Sequence, residues 1–265
     1  MAQCGEGHLS RALREQRMEL NKLFHLNQKL KGITRVVLTD FVLKHQPKII
    51  DLIGLHKLIV LCYFYKAVDV FDGIIQLQKQ DLLEDAQALI RVLFETNLKF
   101  CYFVKSAHQD PDKTVRQVYD SIYIMREKDA LNQGAKDDSF FYNANEVKKR
   151  YSMDEIKQIR KNGFIKVTIE ELAKQGNKIS WYQYMYRNFS RNVHANDLVE
   201  YFYKVGIHIY NEEYEGENLR NEVAIMHAHE CFFEIAVNAN NILKLNIEST
   251  LQEIRLEFED MIKND

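Results

Sequence analysis

Apolar residues recur every three or four positions along most of the chain, the spacing that places them on one face of a helix. A leucine-rich run opens the chain, and we expect it to end at Gly32. The segment from there to Pro47 has an apolar stretch at 36–38 that a short strand would fit, but a helix fits the longer pattern better. The first run contains Leu9, Leu13, Leu20, Leu23, Leu26 and Leu30.

The middle of the chain predicts three more helices. A long apolar helix spans 55–77, and a strongly periodic helix follows from 82 to about 106. Asp110 and Pro111 fit an N-cap followed by proline at the first helical position, so they open a helix that runs to about Gly134. Residues 135–145 then form the clearest loop.

Capping signals mark the helices of the second half. Ser152 with Glu155, and Thr168 with Glu171, have the spacing of capping boxes. A short strand over 165–169 is the alternative at the second box, and its helix should stop at 176–177. Ser180 should cap the next helix, and further helices are predicted over 196–210, 219–245 and 247–262.

These elements predict an all-α, multi-helix bundle. Only two of the 265 residues are proline and ten are glycine, which favours long helices with short connections. Hydrophobic residues make up 46% and charged residues 28%, which is the composition of a folded globular protein. We expect a single domain, 1–265, of about eight to ten helices, with a peripheral helical insertion at 135–178.

Charge and cysteine content exclude several classes of protein. The net charge of −2 gives no global field for nucleic acid or anionic lipid, although 148–166 is locally basic and the chain is acidic from Glu248 onward. Both stretches are also what solvated helix faces look like. The four cysteines form no CxxC pair, and the most apolar window is too short and too charged to cross a membrane. We therefore expect a cytoplasmic protein without a membrane partner.

Familiar catalytic motifs are missing. The sequence has no phosphate-binding glycine loop, no HExxH and no GxSxG. His227 and His229 are two positions apart, so a helix would point them to different faces, and we predict no metal site. The other single histidines are most simply packed or surface residues.

The first segment of chemical interest carries Arg91 and Glu95, one helical turn apart. Apolar neighbours on both sides of this pair predict that it is partly buried. Burying an ion pair seldom stabilises a protein more than an apolar replacement does, so the pair suggests a function. The alternative is a structural ion pair that ties two helices together.

The second segment runs from Tyr184 to His194. If it is helical, Arg187, Arg191 and His194 share a face with Tyr184, and Ser190 adjoins that face. Guanidinium groups bind phosphate through paired N–H groups, and an imidazole transfers protons near neutral pH. These residues suffice for phosphodiester chemistry without a metal or cofactor. A polar helix end capped by His194 is the alternative.

The two segments together resemble a bacterial family of uncharacterised helical proteins. They are also similar to the HEPN superfamily, named for higher-eukaryote and prokaryote nucleotide binding. Its motif is an arginine, usually followed by a polar residue, that is separated from a histidine by four to six residues. Arg187 has six residues between it and His194, and Arg191 has two. The residues that carry the resemblance are Ala86, Leu89, Arg91, Leu93 and Glu95, then Tyr186, Arg187, Ser190, Val193 and His194.

The HEPN resemblance implies a dimeric, metal-independent ribonuclease of a defence or toxin–antitoxin system. His194 would be the general acid or base and Arg187 would stabilise charge on the phosphate, with Arg91, Glu95 and Ser190 completing the site. Many members only bind, so a non-catalytic module for a partner protein or nucleotide is the alternative. The predicted RNA contacts are Arg191, Lys148, Lys149, Arg150, Lys157, Arg160 and Lys161.

Overall fold

The computed structural model describes residues 6–45, 52–80, 82–132, 134, 144–187 and 215–263. These residues are helical apart from short connections, and no strand occurs among them, which confirms the all-α prediction. No helix in these ranges is both long and apolar enough to cross a membrane. The helices are α1 (Glu6–His45), α2 (Leu52–Lys79), α3 (Leu83–Gln109), α4 (Pro111–Asn132), α5 (Met153–Asn162), α6 (Ile169–Gln175), α7 (Ile179–Trp181), a π-helix (Tyr182–Arg187), α8 (Glu215–Leu243) and α9 (Glu248–Lys263).

Several predicted helix ends are confirmed by the hydrogen bonds at them. Helix α4 begins at Pro111, and Asp110 accepts a hydrogen bond from the backbone N–H of Lys113 at 3.2 Å. Both capping boxes are complete, with Ser152 before α5 and Thr168 before α6. Residues 165–168 form no strand, and α6 ends before Gly176 as predicted. These ends were predictable because each depends on contacts within one helical turn.

Two predicted boundaries are wrong. Helix α1 continues through Gly32 to His45, because Gly32 is an exposed position and Leu38 and Phe41 extend the buried face beyond it. The glycine then costs only its helix propensity, about 1 kcal/mol, which packing on either side offsets. Ser180 is not a cap either, since α7 begins one residue earlier at Ile179. The predicted helix over 196–210 lies outside the described residues.

The chain divides into two compact units. The first contains residues 1–46, 63–97 and 180–265, and the second contains 47–62 and 98–179. The predicted insertion at 135–178 falls within the second unit, and the single-domain assignment stays a prediction. Each unit is described separately below.

The first unit is held together by aromatic side chains and by buried amides. Phe71 stacks on Phe232 with ring centroids 4.2 Å apart, which joins α2 to α8. The Asn97 side chain donates hydrogen bonds from α3 to the Cys231 carbonyl and the Glu234 carboxylate of α8, at 3.1 and 2.8 Å. Helices α1, α8 and α9 contact one another. These contacts fix where α3 lies against α8.

The second unit packs residues 144–162 against α4. Its small apolar core consists of Ile124, Val147, Ile156 and Ile159, with Tyr123 and Tyr151 at its edge. Two buried carboxylates of α4, Asp120 and Glu127, accept hydrogen bonds from the same segment. Buried carboxylates require such partners, so they hold the segment in a defined position.

Candidate functional site

Arg91 and Glu95 project from α3 within the first unit. The Glu95 Oε1 atom lies 3.5 Å from Arg91 Nε, and the two side chains are 17% and 24% exposed. The prediction of a partly buried pair is therefore confirmed. Arg91 Nε is buried and makes no hydrogen bond, so this contact is an ion pair only.

Tyr186 is the second partner of Arg91. Its hydroxyl accepts a hydrogen bond from Arg91 Nη2 at 3.2 Å, and the guanidinium carbon lies 4.4 Å from the centre of its ring. The Tyr182 ring stacks on the Tyr186 ring, with ring centroids 5.0 Å apart and ring planes 16° apart. A cation above an aromatic face is attracted to the electron density of the ring. Arg91 of α3 and Tyr182 of the π-helix thus both pack against the Tyr186 ring.

The π-helix sets the positions of these tyrosines. It follows α7 and covers 182–187, where Met185 is fully buried and Tyr182 and Tyr186 are half-buried. A π-helical turn is wider than an α-helical turn. Tyr182 and Tyr186 are four residues apart, about one such turn, and their rings lie side by side. Short π-helical segments are frequent at functional sites.

A second aromatic group surrounds His227 of α8. Its ring lies 4.4 Å from Trp181 and 6.3 Å from Tyr184, measured between ring centroids. Glu230 Oε2 lies 4.0 Å from its Nδ1 atom. His227 and His229 do face different surroundings, as predicted, because His229 packs in the core against Phe258.

Residues 188–194 of the second predicted segment lie outside the described residues, and they include Ser190, Arg191 and His194. Arg187 is the last residue of the π-helix. The structure therefore brings Arg91 and Glu95 against the beginning of that segment, through Tyr186. The roles of these residues stay predictions.

The predicted RNA contacts in the second unit are mostly engaged with carboxylates. Lys148 and Arg160 bind Glu127, and Arg150 binds Asp120, whose side chain also accepts a hydrogen bond from Tyr151 at 2.9 Å. Burial alone would raise the pKa of the Glu127 carboxyl, but the hydrogen bonds from Lys148 and Arg160 hold that pKa below its usual range.

The remaining three predicted contacts are at the surface. Lys149 pairs with Glu146 and Lys157 pairs with Asp154, each within one helical turn, and Lys161 is exposed. Exposed pairs of this kind are weak and exchange readily with other ions. A phosphate backbone would therefore have to break only weak ion pairs, or none, to contact Lys149, Lys157 and Lys161.

Sequence reasoning did not assign a role to Tyr186. The aromatic run of Trp181, Tyr182, Tyr184 and Tyr186 is visible in the sequence, but nothing local pairs it with a residue 95 positions earlier. Among the residues that the structure describes, no group of three or more His, Cys, Asp or Glu side chains could hold a metal ion.

The sequence model of one protein family matches residues 57–204, more than half of the chain. It is described as a family of unknown function, DUF5677. The match includes Arg91, Glu95 and Tyr186 as well as the segment through His194. No curated protein and no solved structure matches the chain.

Proposed function

The chain belongs to the DUF5677 family of unknown function, and we propose that it is a metal-independent endoribonuclease of the HEPN type. The proposed setting is a bacterial defence or toxin system in the cytoplasm, with the chain acting as a homodimer. The observation that supports a shared site is the hydrogen bond between Arg91 and Tyr186. It brings the early acidic-basic pair beside the segment that continues to Ser190 and His194.

The proposed reaction is attack of a ribose 2′-hydroxyl on the adjacent phosphodiester. His194 takes the proton of the hydroxyl as the new P–O bond forms, and a proton is returned to the 5′-oxygen as the old P–O bond breaks. Arg187 stabilises the charge that builds on the phosphate. Glu95 and Arg91 orient these groups, and the products carry a 2′,3′-cyclic phosphate and a 5′-hydroxyl.

The test is cleavage of mixed RNA in the presence of EDTA. We expect cleavage by the unaltered chain, with His194→Ala and Arg187→Ala each reducing the rate by at least about a hundredfold, the usual contribution of acid–base catalysis. His108→Ala and Arg116→Ala are the matched controls, because both residues are exposed and lie in the second unit. Absence of cleavage, or equal cleavage by all four variants, would refute the ribonuclease.

A second function is favoured by the packing of Arg91 itself. One face of its guanidinium is covered by the Tyr186 ring, and Glu95 lies beside its Nε atom. A partly buried network of this kind also fixes the register of two helices without catalysis. In that case the chain is a binding module for a partner protein or nucleotide, and RNA or nucleotide binding persists where cleavage is absent.

Lys149, Lys157 and Lys161 are the proposed backbone contacts of the second unit. Replacing all three with Gln should weaken RNA binding and reduce the slope of log affinity against log salt by about 0.7 for each phosphate that the variant no longer neutralises. Filter binding at several salt concentrations measures the slope. A slope unchanged by the triple substitution would remove these lysines from the proposal.

A further inference from the structure

Arg91 has fewer partners than a mostly buried charge normally requires. Of its five N–H groups, one donates to Tyr186 at 3.2 Å, and the buried Nε–H has only the ion pair with Glu95 at 3.5 Å. Its Nη1 atom is not one of the buried atoms that lack a partner, so this end of the group is not sealed off by the described residues. Buried charged groups are normally hydrogen-bonded throughout. The guanidinium therefore retains donors for a ligand.

Tyr186 restricts the orientation of those donors. The hydroxyl holds one end of the guanidinium, and the ring lies 4.4 Å from its carbon atom. Tyr182 supports the ring from a stack 5.0 Å away. Two contacts on one planar group leave it little rotation, and a guanidinium binds an oxyanion best when two parallel N–H groups face it.

The negative charge of Glu95 restricts the side from which an anion can approach Arg91. Its carboxylate lies at the Nε edge, where it repels negative charge. Glu95 lies beside the Nε atom and Tyr186 bonds the Nη2 atom, which leaves Nη1 as the third nitrogen of the group. Electrostatics therefore favours the Nη1 end for the approach of an anion.

We propose that Tyr186 is a positioning residue that holds Arg91 for direct contact with a phosphate group. Arg91 then binds the substrate directly, in addition to orienting the catalytic groups. The inference rests on the proposed function for the identity of the substrate, in which the phosphate belongs to the RNA backbone. Tyr186 itself does not contact the phosphate.

The direct test is a titration of the full chain with inorganic phosphate, in which the NMR signals of the arginine Nε–H groups are monitored. Arg91→Lys identifies the Arg91 signal, and we expect phosphate to shift that signal in the unaltered chain. Arg91→Lys should weaken phosphate binding by about tenfold, because a lysine cannot provide paired donors.

The tyrosine variants separate positioning from a general structural role. Tyr186→Phe keeps the ring and should weaken phosphate binding by about threefold, whereas Tyr186→Leu removes both contacts and should match Arg91→Lys. Tyr65→Leu is the control, because Tyr65 is an exposed tyrosine of α2. In the RNA assay, the Tyr186 variants should lower kcat/KM without changing its pH profile.

The outcomes distinguish this inference from the proposed function. Phosphate binding that depends on Tyr186, without RNA cleavage, supports the inference and refutes the ribonuclease. RNA cleavage in which phosphate leaves the Arg91 signal unmoved refutes the inference alone. Equal phosphate affinity in Tyr186→Leu and Tyr65→Leu also refutes it, provided that circular dichroism shows both variants folded.

Discussion

His229 should make the first unit lose stability in mild acid. Its side chain lies between α1, α8 and α9, where it is 1% exposed, stacks on Phe258 with ring centroids 4.3 Å apart, and has its Nδ1 atom 2.7 Å from Asn27 Oδ1. Its Nε2 atom has no hydrogen-bond partner in the part of the chain that the structure describes. A second proton would therefore be buried without an acceptor.

The magnitude follows from the pKa of this imidazole. Burial first, and then the positive charge of Arg255, lower the pKa of His229 from 6.5 to about 3. Because the folded state binds the proton less readily than the unfolded state, stability is complete above pH 6.5 and falls as the pH drops from 6.5 toward 3. The loss is about 1.4 kcal/mol per pH unit, or about 2 kcal/mol at pH 5.

The assay compares urea unfolding at pH 7.5 and pH 5.0. Trp181 is the only tryptophan of the chain and lies in the same unit as His229, so its fluorescence reports the relevant transition. The comparison protein is the double variant Asn27→Leu, His229→Phe, which removes the titrating group together with its partner. Replacing both members of a buried hydrogen bond avoids leaving either one unsatisfied.

We expect the unaltered chain to lose about 2 kcal/mol more than the double variant between the two pH values. Carboxylates elsewhere titrate equally in both proteins, so the difference isolates His229. His108→Ala, at an exposed position, should behave like the unaltered chain. The reasoning is wrong if the double variant loses as much stability as the unaltered chain.

Two further predictions concern buried polar contacts. Arg150→Ala should lower the free energy of unfolding by about 2 kcal/mol, because the Asp120 side chain is only 1% exposed and loses an ionic partner. Lys157→Ala, which removes an exposed ion pair, should leave the free energy of unfolding unchanged. Thermal unfolding of the two variants tests this difference. Asn97→Ala should cost about 1–3 kcal/mol because it removes two hydrogen bonds, one of them to Glu234, and a midpoint equal to that of the unaltered chain in urea would contradict this.

Most of the helices were predictable because their signals are local. A capping box such as that of Ser152 needs only residues within one turn, and the buried face of a helix repeats every three or four residues. The error at Gly32 has the same origin. Helix propensity alone favours a stop there, while the packing that carries α1 onward to His45 involves other helices.

The candidate site was predictable only in part. Arg91 and Glu95 are one turn apart, so their pairing and partial burial followed from the apolar residues around them. The partner of Arg91 did not follow, because Tyr186 is far away in the chain and reaches α3 only through the packing of the first unit.

The basic stretch of the second unit shows the same limit. Its composition suggests phosphate binding, but Lys148, Arg150 and Arg160 lie against carboxylates of α4. Sequence spacing cannot show that pairing, since Glu127 is more than twenty residues from both of its partners.

The amino-acid sequence by itself therefore determined the all-helical class, most helix ends and the Arg91–Glu95 pair. The tertiary structure decided which charges are neutralised, that His229 is buried beside Asn27, and that Tyr186 holds Arg91. The physical reason is the distance along the chain over which each kind of interaction acts. Helix formation and capping depend on neighbours within about four residues, whereas the burial and pairing of a polar group depend on which distant helix packs against it.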